Sequence, residues 1–463
     1  MSAGGRIHVV MYPWLAFGHI SPFVELARKL VAGDVEIRVT LLTAAGNVPR
    51  VEGMLASAAG AVAVVPLQLS QVPGLPAGAA STAELSADGA ELLKLAVDGT
   101  RPQVSSLLAE LRPDVVLIDF ATPWVCDVAA RLGIKTLYFI VFSAVSFAYI
   151  VAPARVVNGR PPSNNDLKVA PAGFPPASAL ATVPVPSYMA TDLPYIFTSF
   201  HGMPSVFDLV TASIKASDGV VMKTCPETEG PYIDYISSQY DKPTLLAGPV
   251  VPEPPQGELE ERWASWLSSF PDDAVVFASF GSETFLSVDA AAELLLGLEA
   301  TGRPFLAVLN FPKGADASAE LKARVPPGLE ERVAGRGVVH TGWVQQQHIL
   351  RHRSVGCYVS HVGFSSVVEG LVAGCRLVLL PIRGDQYFNA ALFARELGVG
   401  VEVARRGEDG WFGREDVRDA VAAAVAAGSK RDAAKWREFF TDDAVQKRFT
   451  DEFVRELKKL VSS

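Results

Sequence analysis

Short apolar runs alternate with stretches of helical period from the first residues onward. IHVVMYP is the first such run; Ser21 then offers a helix cap, Pro22 the first helical position, and SPFVELARKLVAG ends at Gly33. EIRVTLLTA and RPDVVLIDF read as further strands, the second preceded by the helix-like VSSLLAELR, and KTLYFIVFS and DGVVMKT continue the series. Strands so uniformly apolar are buried on both faces. The pattern therefore predicts an α/β chain of parallel sheet covered by helices on both sides.

The rhythm breaks twice. Residues 151–207 are rich in Pro, Gly, Ala and aromatics without a period. A long irregular stretch of that kind is commonly functional, and it is read here as part of an apolar pocket. GPVVPEPPQGELEE then gives the strongest linker signal in the chain. Beyond it the alternation restarts: AVVFASFGS, PFLAVLN, VGCYVSH and RLVLLP as strands, VDAAAELLLGLEATG and SSVVEGLVAG as helices. Val445, Phe449, Phe453, Val454, Leu457, Leu460 and Val461 fall at helical spacing and predict an amphipathic closing helix. The expected organisation is an N-terminal domain over 1–242, a linker over 243–258, a second domain over 259–440 and the closing helix over 441–463.

Composition narrows the classes. A chain of 463 residues exceeds one ordinary core, and 49% hydrophobic with 20% charged residues is globular. A formal net charge of −9 without a long basic run argues against a nucleic-acid partner. The apolar N-terminus is interrupted by His8, Pro13 and His19 and lacks a small-residue cleavage site, so it reads as a core strand rather than a signal peptide. No stretch reads as a membrane span. Cys126, Cys225, Cys357 and Cys375 show no metal-ligand spacing, and Cys357 and Cys375, in apolar strand-like runs, read as buried free thiols, which suits a reducing compartment. A cytoplasmic monomer is expected.

In open parallel sheets, ligands bind beyond the carboxyl ends of the strands. His19 lies there after the first strand, and Asp119 lies there at the end of RPDVVLIDF. Together they could form a dyad in which the imidazole takes a hydroxyl proton and the carboxylate fixes its tautomer. Alone, a loop histidine is more often structural, and Asp119 could cap a turn. In the second half, FGSET puts Gly281, Ser282 and Thr284 after a strand, and SHVGFSSVVEG puts His361, Gly363, Ser365 and Ser366 at a helix start. Small residues at such a place let backbone N–H groups meet a phosphate, although ordinary strand–helix turns use them too.

The 44 residues WVQQQHILRHRSVGCYVSHVGFSSVVEGLVAGCRLVLLPIRGDQ, Trp343 to Gln386, resemble without a gap the donor-binding signature of plant UDP-dependent glycosyltransferases. PWLAFGHISP resembles that family's catalytic-histidine region, and the likeness runs through the whole chain. The resemblance implies a GT-B fold, two Rossmann-like domains facing each other across a cleft, with the acceptor on the first and the donor on the second. It implies that Trp343 stacks on uracil, Gln346 lies near the ribose and base, and Glu369 accepts from the ribose hydroxyls. His361, Ser366 and Ser282 would hold the diphosphate, Thr284 would lie near sugar and phosphate, and Asp385 and Gln386 would bind sugar hydroxyls. Two departures stand out. HVGFSS replaces the usual HCGWNS, so Phe364 and Ser365 stand for Trp and Asn, and Arg383 stands where many members carry an aromatic. This form of the box resembles the branch acting on flavonoid and anthocyanin glycosides, with relatives that take terpenoid alcohols.

The resulting expectation is an inverting glycosyltransferase of plant secondary metabolism or detoxification. It moves glucose from UDP-glucose to a small lipophilic acceptor with His19 as base and Asp119 as its partner. Phe17, Ser143, Tyr188 and Phe200 are the expected acceptor contacts. No cofactor or metal is expected, since the chain has no Asp-x-Asp triplet. Two rivals were weighed. A nicotinamide-dependent dehydrogenase lacks its Gly-x-Gly-x-x-Gly turn after either first strand. A non-catalytic UDP-sugar-binding protein is disfavoured by the intact His19 and Asp119.

Overall fold

The computed structural model describes residues 6–34, 36–249, 251–312, 314–426 and 430–462. Its contacts divide the chain into two units, Met1–Pro175 with Leu193–Val250 and Asp443–Ser463, and Pro176–Asp192 with Val251–Asp442.

The first unit is built on seven strands: β1 Ile7–Tyr12, β2 Ile37–Ala44, β3 Val62–Leu67, β4 Val115–Ile118, β5 Lys135–Ile140, β6 Gly219–Met222 and β7 Thr244–Leu246. They lie in the order β3-β2-β1-β4-β5-β6-β7, and every pair is parallel. Val9–Tyr12 of β1 and all of β4 are wholly buried, which explains the apolar run in each. One face packs on the helix Phe17–Gly33 through Phe23, Val24, Ala27 and Leu30, and on the closing helix Asp443–Ser462 through Phe453, Val454 and Leu457. Burial of side chains this large is worth roughly 1.5–3 kcal/mol each.

The second unit holds six strands: β8 Val275–Ser279, β9 Phe305–Val308, β10 Gly337–His340, β11 Val355–Ser360, β12 Arg376–Leu379 and β13 Val401–Glu402. Their order is β10-β9-β8-β11-β12-β13, again all parallel. Separate apolar clusters cover its two faces, one around Phe277, Tyr358 and Leu371, the other around Leu294, Leu298 and Val421. Each sheet thus reverses its direction of growth once, between β1 and β4 in the first and between β8 and β11 in the second. That reversal makes a crevice at the carboxyl edge of a doubly wound sheet.

Several elements differ from the sequence pattern. The helix after β1 starts at Phe17, four residues before the expected Ser21 cap, and Pro22 lies inside it. The His19 and Ile20 N–H groups both bond the Ala16 carbonyl at 2.9 and 2.8 Å, which closes the first turn early. His19 therefore stands in the first helical turn rather than in a loop. Strands β3, β7, β10 and β13 were not anticipated. Strand β3 carries Pro66, which suits only an edge strand, and that is its place in the sheet. Strand β7 takes up the first residues of the stretch read as linker. Residues 176–192, read as part of the first domain, group with the second unit. There Ser178 and Ala179 donate to Glu396, and Tyr188 packs edge-on against Tyr387 at 5.4 Å.

Candidate functional site

In the first unit, β1 and β4 are neighbours in register, with Tyr12 opposite Ile118. Their loops consequently leave the sheet side by side at the point of reversal. His19 Nδ1 lies 2.8 Å from Asp119 Oδ2, with side-chain exposures of 13% and 2%. Asp119 also accepts the backbone N–H groups of Trp14 (3.0 Å, on Oδ2) and Phe120 (2.7 Å, on Oδ1). Three N–H donors converge on one buried carboxylate, so its orientation is set by the backbone. With the Nδ1 proton given to Asp119, the imidazole keeps a lone pair on Nε2. The rings of Phe120 (5.8 Å) and Phe142 (5.3 Å, edge-on) flank the imidazole, and Phe142 is 39% exposed. The pair expected from sequence is therefore formed, within an aromatic wall.

In the second unit the same topology repeats. Ser279 ends β8 opposite Ser360, the end of β11, so Gly281–Thr284 and His361–Ser366 leave together. Gly281 has φ +71, and a Cβ there would come within 3.0 Å of the His361 ring, so only glycine fits. His361 is buried and its Nδ1 has no hydrogen-bond partner. Burial drives its pKa down to about 4, helped by the charge of Arg383 and opposed by a hydrogen bond to the Ser279 backbone. It is accordingly a neutral imidazole at ordinary pH. Val362 beside it adopts φ +68, an uncommon conformation for a β-branched residue. Its N–H bonds Ser360 Oγ at 3.1 Å, and its carbonyl accepts from Asn389 Nδ2 at 3.0 Å, so the turn is held from both sides. The helix Phe364–Ala373 then begins with Gly363 as its cap, Ser365 exposed and Ser366 half-buried at its first turn.

The remaining predicted donor residues fall into two groups. Gln346 donates to Glu369 at 2.7 Å, and burial raises the Glu369 pKa against bonds from Gln346 and Gln347. Gln386 donates to Thr284 Oγ1 at 3.1 Å and accepts the N–H groups of Ile382 and Arg383. Asp385 accepts from Asn389 at 3.1 Å. Trp343 is 74% exposed, which removes the core-tryptophan alternative and leaves a bare aromatic face. Phe364 packs on Phe393 at 5.5 Å, so a smaller ring than indole serves there as packing.

The expected acceptor residues have the following neighbours. Phe17 is buried beneath the Arg50 guanidinium, 3.3 Å from its ring centroid. Ser143 is buried and caps the helix Ala144–Ile150. Phe200 packs on Tyr195, whereas Tyr188 belongs with the second unit. Sequence reasoning missed Asn310, whose amide bonds the Gly281 carbonyl and the Gly342 N–H, and it missed Val362 and Asn389. An Asn two residues past a strand end was the available signal for the first. A positive φ at valine leaves none. The four cysteines are free and buried, Cys357 and Cys375 as expected; burial pushes the thiols of those two up to about 12. Among the described residues no helix is long and apolar enough to cross a membrane.

Comparison with known proteins agrees with this geometry. Residues 254–434 match the family model for UDP-glucuronosyl and UDP-glucosyl transferases. The chain is 48% identical to an anthocyanidin-3-O-glucoside rhamnosyltransferase of Petunia hybrida, over 97% of this chain and 96% of that protein. It is 45% identical to a UDP-glycosyltransferase of Glycine max, over 98% of each. Among solved structures, a UDP-glucosyltransferase of Polygonum tinctorium in complex with 3,4-dichloroaniline matches with a TM-score of 0.76 at 21% identity, covering 100% of both chains. An Arabidopsis thaliana transferase complexed with UDP-L-rhamnose matches with 0.73 at 22%, covering 99% of this chain and 98% of that one. These two share its GT-B fold. Two reversing parallel sheets, each with its turns gathered at the reversal, and identities approaching half over nearly the whole length lead to one conclusion: the chain belongs to the plant UDP-dependent glycosyltransferases.

Proposed function

We propose that this enzyme transfers glucose from UDP-glucose, with inversion, to a hydroxyl of a glycosylated flavonoid, using His19 as general base and Asp119 as its orienting partner. The observation that carries the reading is the 2.8 Å bond from His19 to a carboxylate already fixed by two backbone N–H groups. The free Nε2 takes the acceptor hydroxyl proton while the oxygen attacks the anomeric carbon. The bond from that carbon to the β-phosphate oxygen breaks on the opposite face, so an α-linked donor yields a β-glycoside. The imidazolium is stabilised by Asp119 until the proton is lost to solvent. Charge on the departing UDP is met by the N–H groups at the start of the helix Phe364–Ala373, beside the neutral His361 imidazole. No metal takes part in the proposed step.

The acceptor class is supported by relatives whose names specify anthocyanidin or cyanidin glycosides as acceptors. Those names carry rhamnose, xylose and glucose as transferred sugars. Glucose is proposed on Gln386, in a position where histidine in relatives accompanies galactose. The test is a panel of UDP-glucose, UDP-rhamnose and UDP-xylose against an anthocyanidin 3-O-glucoside, its aglycone and a terpenoid alcohol, each with and without EDTA. UDP-glucose with the glycoside should be fastest and unaffected by chelation. Faster transfer from another donor overturns the sugar, faster use of the aglycone or terpenoid overturns the acceptor, and loss on chelation overturns the metal-free step.

A further inference from the structure

Behind the aromatic wall of His19 lies an ion pair with no part in the scheme above. On the helix Ala87–Asp98, Lys94 Nζ is 2.8 Å from both carboxylate oxygens of Glu91, and the two side chains are 4% and 3% exposed. The Tyr195 hydroxyl donates to the same carboxylate. The ammonium faces two rings, 5.9 Å from the centroid of Phe120 and 5.8 Å from that of Tyr195. A buried ion pair is a poor source of stability, because its desolvation cost is offset only in part and apolar residues of equal volume do as well. What a lysine supplies here and a methionine would not is a fixed positive charge against aromatic faces.

Phe120 links that charge to the dyad. Its N–H bonds Asp119 Oδ1, its ring lies 5.8 Å from His19 and 5.4 Å from Trp14, and the Trp14 N–H bonds Asp119 Oδ2. Its carbonyl accepts from Ser213 Oγ at 3.2 Å, so the backbone is anchored independently of the ring. We propose that Lys94, clamped by Glu91, is a positioning residue: it holds the Phe120 ring at the angle that keeps the His19 imidazole aimed at the acceptor hydroxyl. The inference rests on His19 being the base.

The experiment compares Lys94→Met, Lys94→Arg and the double variant Glu91→Leu/Lys94→Met with the parent, using the acceptor and donor selected by the panel. Lys94→Met should lower kcat about tenfold, the effect of a desolvated cation–π contact, with KM for the UDP-sugar and Kd for UDP unchanged. Lys94→Arg should recover most of the loss. The double variant leaves no buried unpaired carboxylate, so it should melt near the parent and still be slow. Parental kcat in the double variant overturns the proposal, as does a loss that only follows the folded fraction or that raises the UDP-sugar KM equally. His19→Ala runs alongside. Full turnover there removes the base itself, whereas a dead His19→Ala beside a fast double variant removes only the positioning role.

Discussion

At the scale of single residues, the protein gives two histidines opposite settings. His19 is part-exposed and bonded to a carboxylate, a setting that suits proton transfer. His361 is sealed, has an unpartnered nitrogen and has its pKa lowered to about 4 by burial, a setting that suits a neutral hydrogen-bonding group. The folded-state value lies below the ordinary histidine value of 6.5. Between those pH values the unfolded chain binds a proton that the folded chain does not, so this residue makes stability rise with pH across that window. The urea midpoint of the parent should therefore climb more steeply from pH 4 to 6.5 than that of His361→Ala. Equal slopes would contradict the assignment.

At the scale of elements, the donor side depends on a strained turn. Val362 holds φ +68 because Ser360 and Asn389 bond its N–H and carbonyl, and Asn389 also bonds Asp385. Asn389→Ala leaves a buried carbonyl unpaired and should cost about 1–3 kcal/mol in denaturant unfolding. It should also weaken UDP binding measured by calorimetry, because the turn carries His361 and leads into the helix Phe364–Ala373. Unchanged UDP affinity would show that the turn is not coupled to the site. Little of this was legible in the sequence. The strand–turn–helix pattern located the turn, and the family box named His361, but a positive φ at valine follows from contacts distant in sequence. The same holds for the start of the helix at Phe17, which a Ser-Pro cap signal misplaced. By contrast, the buried strands β1, β4, β5, β8 and β11 were plain, because residues buried on both faces must be apolar throughout. The edge strands β3, β7, β10 and β13 were not, because an edge tolerates Pro66, as in β3, or needs only two to four paired residues, as in the other three.

At the scale of the whole chain, the closing helix is amphipathic, as its spacing foretold, and it packs within the first unit through Phe449, Phe453, Val454 and Leu457, which the spacing did not specify. Phe449 sits where a Cβ on Gly248 would strike its ring, so the fit excludes larger residues at position 248. Phe453→Ala should destabilise the first unit by about 3–5 kcal/mol, seen as an early unfolding transition, while the second unit's transition stays in place. A single unshifted transition would contradict that packing. The two sheets share one order of strands around the reversal and place their loops at the same kind of edge; the first carries the His19–Asp119 pair there, and the second the glycine- and serine-rich turns of Gly281–Thr284 and His361–Ser366. The positions of these turns could be read from sequence once the donor box was seen. That Tyr188 packs with the second unit could not be read, because it depends on the folding of an irregular stretch.

The central claim is that His19 removes the acceptor proton. Its most direct test is single-turnover sugar transfer by the parent, His19→Ala and Asp119→Asn, with UDP binding measured on the same samples. The account predicts that His19→Ala loses transfer by about 100-fold or more while binding UDP as the parent does, and that Asp119→Asn is also slowed. Transfer by His19→Ala at the parental rate would contradict it.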